Sequence, residues 1–331
     1  MKPYLYLSGL KRLAKEVVGN EVIHIGIRPY GFHAGNAMAL VGYPYVLCQR
    51  TEVEGKIPKF TFVISLNEWE QDSLDGPDYR KYPYNIHPKS TILRFAPDDN
   101  GCCSSIADHW IPIIKKRVLV IKKRFPGVTV SFILNSELVK DRFCRSLLID
   151  TIQNPHDHIM IYKKYTDKEI LKDPVAFSNA VCPYCKSARG KTSFRLGKIN
   201  LDCVVCGTKS SGSLSNFHFW WYHKPMLTAR LKKFDVDITL SGGDHFDEKD
   251  FEIRKAFMAK YVPNIKIPKM LFTPTVLASD GEKMSKSRGN TAFVDLGKLI
   301  QIANNWSGKD FVLPEEITLN QIDDKDYSHI L

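Results

Sequence analysis

The apolar positions of this chain change period repeatedly, and each change marks an element. Leu10, Leu13, Val17 and Val18 recur at helical spacing among Lys and Arg, which predicts a helix within residues 1–19. Residues 21–27, Glu-Val-Ile-His-Ile-Gly-Ile, form a short β-branched run and read as a buried strand. Pro29 and Gly31 then force a turn, and Ala34, Ala37, Met38, Ala39 and Leu40 favour a helix from His33. Strand, glycine-containing turn and helix make the opening unit of a parallel α/β sheet.

The alternation continues with strands at 60–66 and 128–134, a helix over 106–125 and another over about 137–153. Residues 67–104 are rich in Pro, Asp, Asn and Gly and read as an irregular excursion. Residues 155–180 read as a polar linker with one strand-like piece, Ile159-Met160-Ile161-Tyr162. A cysteine-rich stretch fills 181–215. The α/β pattern returns with strands at 236–241 and 267–276 and helices at about 247–261 and 295–305, before an acidic tail. The sheet therefore starts, is interrupted and resumes. The expected organisation is a first half of the core at 1–154, an insertion at 155–225, a second half at 226–305 and a tail at 306–331.

Charge sharpens this picture. The chain carries a formal +11, but residues 1–309 hold 46 basic and 30 acidic residues, a net +16. Such a body attracts polyanions. Lys115, Lys116 and Arg117 recur seven residues later as Lys122, Lys123 and Arg124, two helical turns on, and are expected to share one face that could track a nucleic-acid backbone or simply be solvated. No apolar run reaches the roughly 18 residues of a membrane span, and the first ten residues lack a cleavage site, so a cytoplasmic protein without membrane contact is expected.

Three groups of residues carry chemistry. Cys182-x-x-Cys185 and Cys203-x-x-Cys206, with seventeen residues between the pairs, suit four-thiolate Zn²⁺. All four valences are taken, so the expected role is structural, with Gly190 and Gly207 helping the knuckles turn. A redox pair is the alternative. Cys48, Cys102, Cys103 and Cys144 lack ligand spacing and are expected to be buried thiols. The second group is Lys283-Met284-Ser285-Lys286-Ser287, a basic loop suited to polyphosphate. A given pentapeptide occurs by chance in about one chain of this length in ten thousand. The third is Pro29-Tyr30-Gly31-Phe32-His33-Ala34-Gly35-Asn36, where a helix N-terminus offers N–H groups to an anion and His33 can donate to phosphate. His24 lies within the preceding strand and only imitates the signature histidine.

The last two groups resemble the paired signatures of class I aminoacyl-tRNA synthetases. More narrowly, the chain resembles the catalytic domain of the class I, archaeal-type lysyl-tRNA synthetase. The likeness runs through Gly26-Ile27-x-Pro29-x-Gly31, His33-x-Gly35-Asn36, Pro97-Asp98-x-x-Gly101-Cys102, the cysteine insertion, Trp220 with Pro225-Met226, Asp235-Val236-Asp237, Gly243-Asp244-His245 and the basic loop, over about residues 20–305. It implies a Rossmann-like α/β core with a parallel sheet interrupted by a zinc-ribbon-like insertion. It also implies aminoacyl-adenylate formation from ATP, with Mg²⁺, and transfer to the acceptor end of tRNA. Pro29, Gly31, His33, Gly35, Asn36, Asp244, Lys283, Met284, Ser285, Lys286 and Ser287 would bind ATP, with His33, Asn36, Lys283 and Lys286 catalytic. Gly26, Arg28, Trp220, Asp244, His245 and Phe272 would frame the amino-acid pocket.

The chain also departs from this family. Its first signature is one residue shorter, since only Phe32 separates Gly31 from His33. Arg28 replaces a small residue, Trp221-Tyr222-His223-Lys224 replaces Arg-Val-Asp-Trp, Ala39 stands where an acid is common, and Phe272 replaces Tyr. Fewer acids and an added arginine oppose the binding of an ammonium side chain. Family members continue into a helical anticodon-binding region, whereas this chain ends about 40 residues after the basic loop. Two alternatives to tRNA charging follow: a stand-alone paralogue that passes an activated amino acid to another acceptor, and a silent nucleotide- or RNA-binding module.

Overall fold

The computed structural model describes residues 3–70, 91–98, 100–165, 178–243, 248–263, 266–277, 295–306 and 316–318. In chain order, β1 (Tyr4–Leu5) leads into α1 (Tyr6–Glu16), β2 (Val22–Ile27), α2 (Ala34–Ala37), a π-helical turn at Met38–Gly42, α3 (Tyr43–Val53) and β3 (Thr61–Leu66). Next come α4 (Ile106–Val118), α5 (Val120–Arg124), β4 (Thr129–Leu134), α6 (Asn135–Leu138), α7 (Arg142–Gln153) and α8 (Pro155–Tyr165). The insertion holds β5 (Ser178–Ala180), β6 (Gly190–Arg195), β7 (Lys198–Cys203), β8 (Lys209–Gly212) and β9 (Phe219–Trp221). The core resumes with α9 (His223–Lys233), β10 (Ile238–Ser241), α10 (Glu248–Tyr261), β11 (Lys269–Phe272), β12 (Thr275–Leu277), α11 (Leu296–Trp306) and β13 (Glu316–Thr318).

Six strands form one parallel sheet in the order β1-β11-β10-β2-β3-β4. From β2 the chain moves outward through β3 and β4, then returns to the other side of β2 as β10. The strand order reverses there, and the crevice beyond the carboxyl ends of β2 and β10 is where open α/β sheets bind ligands. Asp237 fixes this junction. Its Oδ2 accepts from Val22 N at 3.0 Å and its Oδ1 pairs with Lys266 Nζ at 2.6 Å.

The two faces of the sheet differ in chemistry. On one, Ile23, Ile25, Ile27, Phe62, Ile64, Leu66, Ile238, Leu240 and Leu271 join Leu10 and Leu13 of α1, Leu47 of α3, Ile114 of α4 and Ile302 of α11 in a continuous apolar core. On the other, register places Thr239 beside His24 and Ser65 beside Gly26. A parallel strand covered on both faces is normally apolar throughout, so this polar row marks the second face. A second core, including Leu148, Tyr162, Phe219, Trp221, Met226 and Phe257, joins α7–α10 to the insertion.

Four expectations from the pattern change. Residues 159–162 are helical, because Asn154 and Pro155 open α8, in which His158, Ile159 and Tyr162 are buried at helical spacing. The helix expected over 106–125 breaks at Leu119. Lys115 lies over the Phe132 ring and Arg117 over Phe32, both half-buried, while Lys116, Lys122, Lys123 and Arg124 are exposed, Arg124 lying over Phe125 beside Glu52. The six charges therefore do not share one face. The first residues give β1 before α1, and Val18 is exposed rather than buried with Val17. Cys102 and Cys103 are exposed, whereas Cys48 and Cys144 are buried as expected.

Candidate functional site

The turn after β2 is built by its glycine and its cap. Gly31 has φ +76°, which an L side chain adopts only with strain, and its carbonyl accepts from Asn36 Nδ2 at 3.1 Å. His33 caps α2, its Nδ1 accepting from Asn36 N. Gly35 leaves room beside the imidazole, since a Cβ there would stand 3.3 Å from His33 Cε1. Pro29, Gly31, His33, Gly35 and Asn36 are thus brought together at the end of β2, with a π turn one helical turn further on. π turns recur at functional sites.

Arg28 lies at the rim and pairs with Glu70 at 3.6 Å, so its charge is largely offset. Gly26 is exposed at the end of β2, while Phe272 ends β11, two strands away. Trp220 sits in β9, buried in the second core with its ring edge-on to Tyr222. Gly243 lies two residues past the end of β10. Asp244, His245 and Lys283-Met284-Ser285-Lys286-Ser287 lie outside the described residues. His24 is buried in the sheet and bonded to Ser65 Oγ at 2.9 Å, and burial drives its pKa down to about 3. It is a neutral core histidine.

The insertion places its four cysteines as their spacing predicts. β6, β7 and β8 form an antiparallel ribbon, and Cys182, Cys185, Cys203 and Cys206 converge within 4.8 Å of one another. The two knuckles use the same bonds. Cys182 N donates to Ser187 O and Lys186 N to Cys182 O; Cys203 N donates to Thr208 O and Gly207 N to Cys203 O. Lys186 (φ +60°) and Gly207 (φ +71°) make the left-handed turns. Gly190 does not turn a knuckle: it pairs with Cys203, and a Cβ there would meet Asp202 O at 2.7 Å. Sulfur separations of 3.7 Å (Cys182–Cys206) and 3.5 Å (Cys185–Cys203) are close to the roughly 3.8 Å edge of a tetrahedral zinc–thiolate site. These donors fit Zn²⁺.

A second donor cluster escaped the spacing argument. Asp98, Cys102, Cys103 and His109 converge within the same 4.8 Å limit, with Cys102 Sγ 3.0 Å from His109 Nδ1 and 3.3 Å from Asp98 Oδ2. Asp98 Oδ2 also accepts from the backbone N–H groups of Cys102 and Cys103. The signal was present as Asp-x₃-Cys-Cys-x₅-His, but its mixed donors match no thiolate-pair spacing.

A parallel doubly wound sheet with a glycine-shaped turn and helix at its switch point matches the Rossmann-like fold of class I synthetases. The chain belongs to the family described as tRNA synthetases class I (K), whose pattern matches residues 11–307. No functionally curated protein matches the sequence. Among solved structures, it is similar to tyrosyl-tRNA synthetase from Archaeoglobus fulgidus in complex with L-tyrosine (15% identity, 87% of this chain and 65% of that chain, TM-score 0.41). It is similar also to tyrosyl-tRNA synthetase from Aeropyrum pernix (15%, 90% and 66%, TM-score 0.42). A third is Leishmania major tyrosyl-tRNA synthetase with tyrosinol (15%, 88% and 34%, TM-score 0.42). The chain spans about two thirds of the archaeal structures' length.

Proposed function

We propose that the protein activates an amino acid with ATP and transfers it to tRNA. The amino-acid carboxylate attacks the α-phosphate, an aminoacyl-adenylate forms and pyrophosphate leaves. The observation that carries this reading is the Pro29–Asn36 turn at the sheet's switch point, in a chain that also holds the basic pentapeptide. The N-terminus of α2 and His33 face the triphosphate, while Asn36 keeps the turn closed through Gly31. Lys283 and Lys286 offset charge building on the leaving pyrophosphate, and Asp244 meets the ribose or the substrate amine. Chemistry of this kind is positioning and electrostatic stabilisation, and it needs no nucleophilic side chain. Mg²⁺ enters with ATP. The cysteine ribbon holds Zn²⁺ as a structural group, and the Asp98–His109 cluster holds a second metal ion.

The acceptor is tRNA in this reading, and the exposed Lys116, Lys122, Lys123 and Arg124 are the part of the α4–α5 charge open to its backbone. The stand-alone paralogue is favoured by Arg28, which stands at the rim where the resembled family has a small residue. Amino-acid-dependent ATP–pyrophosphate exchange across the twenty amino acids, followed by an assay for aminoacyl-tRNA, separates the two. Exchange and charging together support the tRNA ligase, and exchange without charging selects another acceptor. Lack of exchange with every amino acid leaves the silent module. Lys286→Ala should slow exchange at least 100-fold; an unchanged rate contradicts the role given to the basic loop.

A further inference from the structure

The hairpin between β6 and β7 turns through two residues, Leu196 and Gly197, closed by the facing pair Arg195 and Lys198. Both central residues have positive φ, +51° and +75°, the type I′ form that asparagine followed by glycine suits. Gly197 fits this turn. Leu196 does not, because it has no polar group to bond its own backbone and is held in the left-handed region against strain. Its side chain is fully exposed. It supports nothing in the fold, and strain that no packing offsets points to a partner.

The chemistry around the tip names the kind of partner. Register puts Lys191, Arg195, Lys198 and Lys209 on one face of the ribbon, all exposed, with Asp202 as that face's one acid among the described residues. Beside the tip, β6 and the end of α7 form an open cleft of about 540 Å³. Phe194 and Ile152 line it with apolar surface, and Gln153, Asn154, Ser193 and Arg195 with polar groups. Gln153 Nε2 donates to Phe194 O at 3.4 Å and ties the two walls together. An aromatic ring beside amides, with cations outside, is what an unpaired nucleotide meets in proteins that bind it. Other partners fit less well. A lone leucine offers too little apolar surface to hold a membrane, since the exposed Tyr184, Val204 and Val205 belong to the knuckles at the opposite end of the strands. Lysine is depleted where proteins meet proteins.

We propose that the β6–β7 tip recognises the end of an RNA helix that carries an unpaired strand. Leu196 stacks on the terminal base pair, Arg195 and Lys198 hold the flanking phosphates, and the first unpaired base enters the cleft beside Phe194 and Gln153. This rests on tRNA, whose acceptor end has that form, being the acceptor; binding is measured apart from charging so that the two fail separately. The probe is a short RNA hairpin with an unpaired 3′ end, carrying 2-aminopurine at its first unpaired position, compared with the same hairpin cut blunt. The full chain should bind the overhanging hairpin about tenfold more tightly than the blunt one and change the 2-aminopurine emission. In Leu196→Asn that preference and that change should be lost, while the melting temperature equals or exceeds that of the wild type because asparagine suits the turn. Arg195→Ala/Lys198→Ala should weaken binding of both hairpins alike and lower the salt slope by about one to two. Equal binding of the two hairpins by the wild type, or an unchanged preference in Leu196→Asn, overturns the proposal. So does a fall in that variant's melting temperature, which assigns Leu196 to the fold, and so does binding of anionic lipid vesicles that the variant loses. If charging of tRNA fails while the hairpin preference stands, the ligase reading goes and the RNA contact remains. Charging without the preference does the reverse.

Discussion

At Gly31 one backbone angle supports a whole loop. With φ at +76°, an alanine there costs about 1–2 kcal/mol, and the strain falls on the carbonyl that accepts from Asn36. Gly31→Ala is therefore expected to lower the melting temperature modestly and raise KM for ATP several-fold in the exchange assay. An unchanged KM would separate the turn from ATP binding. His24 makes a different prediction. Its folded pKa is depressed to about 3 by burial, against about 6.5 in the unfolded chain. Above 6.5 both states are neutral and the full stability is present. Below 6.5 the unfolded chain takes up the proton and the folded one does not, so stability falls by about 1.4 kcal/mol per pH unit. His158 and His218, also depressed chiefly by burial, act in the same direction. Denaturant titrations between pH 7.5 and pH 5 should show the loss, and His24→Gln should flatten it.

Among the described elements, the cysteine ribbon and the loop leading to α4 each bring four possible metal-ligand side chains together. Few apolar residues support the ribbon: Ile199 and Leu201 are buried, while Tyr184, Leu196, Val204 and Val205 are exposed. Purified protein is expected to carry two equivalents of bound metal. Cys206→Ser should leave one and expose the ribbon to proteolysis, and Cys102→Ser/His109→Ala should remove the other; elemental analysis checks both. These elements also show what a sequence can and cannot reveal. The ribbon was legible because each knuckle is four residues long and its spacing encodes its geometry. The Asp98–His109 cluster was not, because its donors differ in kind and are joined by an irregular loop. The segment 159–162 was misread because four apolar residues in a row fit a strand or a buried helix equally. Only Pro155 decided for the helix.

The whole molecule divides at the sheet. Its apolar face was legible from Ile23, Ile25 and Ile27 alone, and so was the interrupted order of the core. The polar face was not, because it arises only when β10 returns beside β2 and brings α9 with it. Thr239 follows His24 by more than 200 residues, and no local pattern links them. The charge on the α4–α5 segment belongs to the same scale. Three of its six cations are engaged with rings or carboxylates, so Lys116→Ala/Lys122→Ala/Lys123→Ala is expected to weaken tRNA binding and flatten its salt dependence by about two to three ions, as read by filter binding across ionic strengths.

The bond from Val22 to Asp237 closes a loop of 215 residues. Loop-closure entropy makes such a contact slow to form, and parallel pairing offers no hairpin to nucleate it. β2, β3 and β4 can assemble from the first 134 residues, and β6, β7 and β8 can pair with one another, before β10 joins β2. In a refolding reaction followed by pulsed hydrogen exchange, amides of β3 should therefore be protected first and those of β10 last. Since the crevice beyond the carboxyl ends of β2 and β10 is complete only when β10 is in place, activity is expected to appear in the same slow phase. A population that has folded everything else would still be inert.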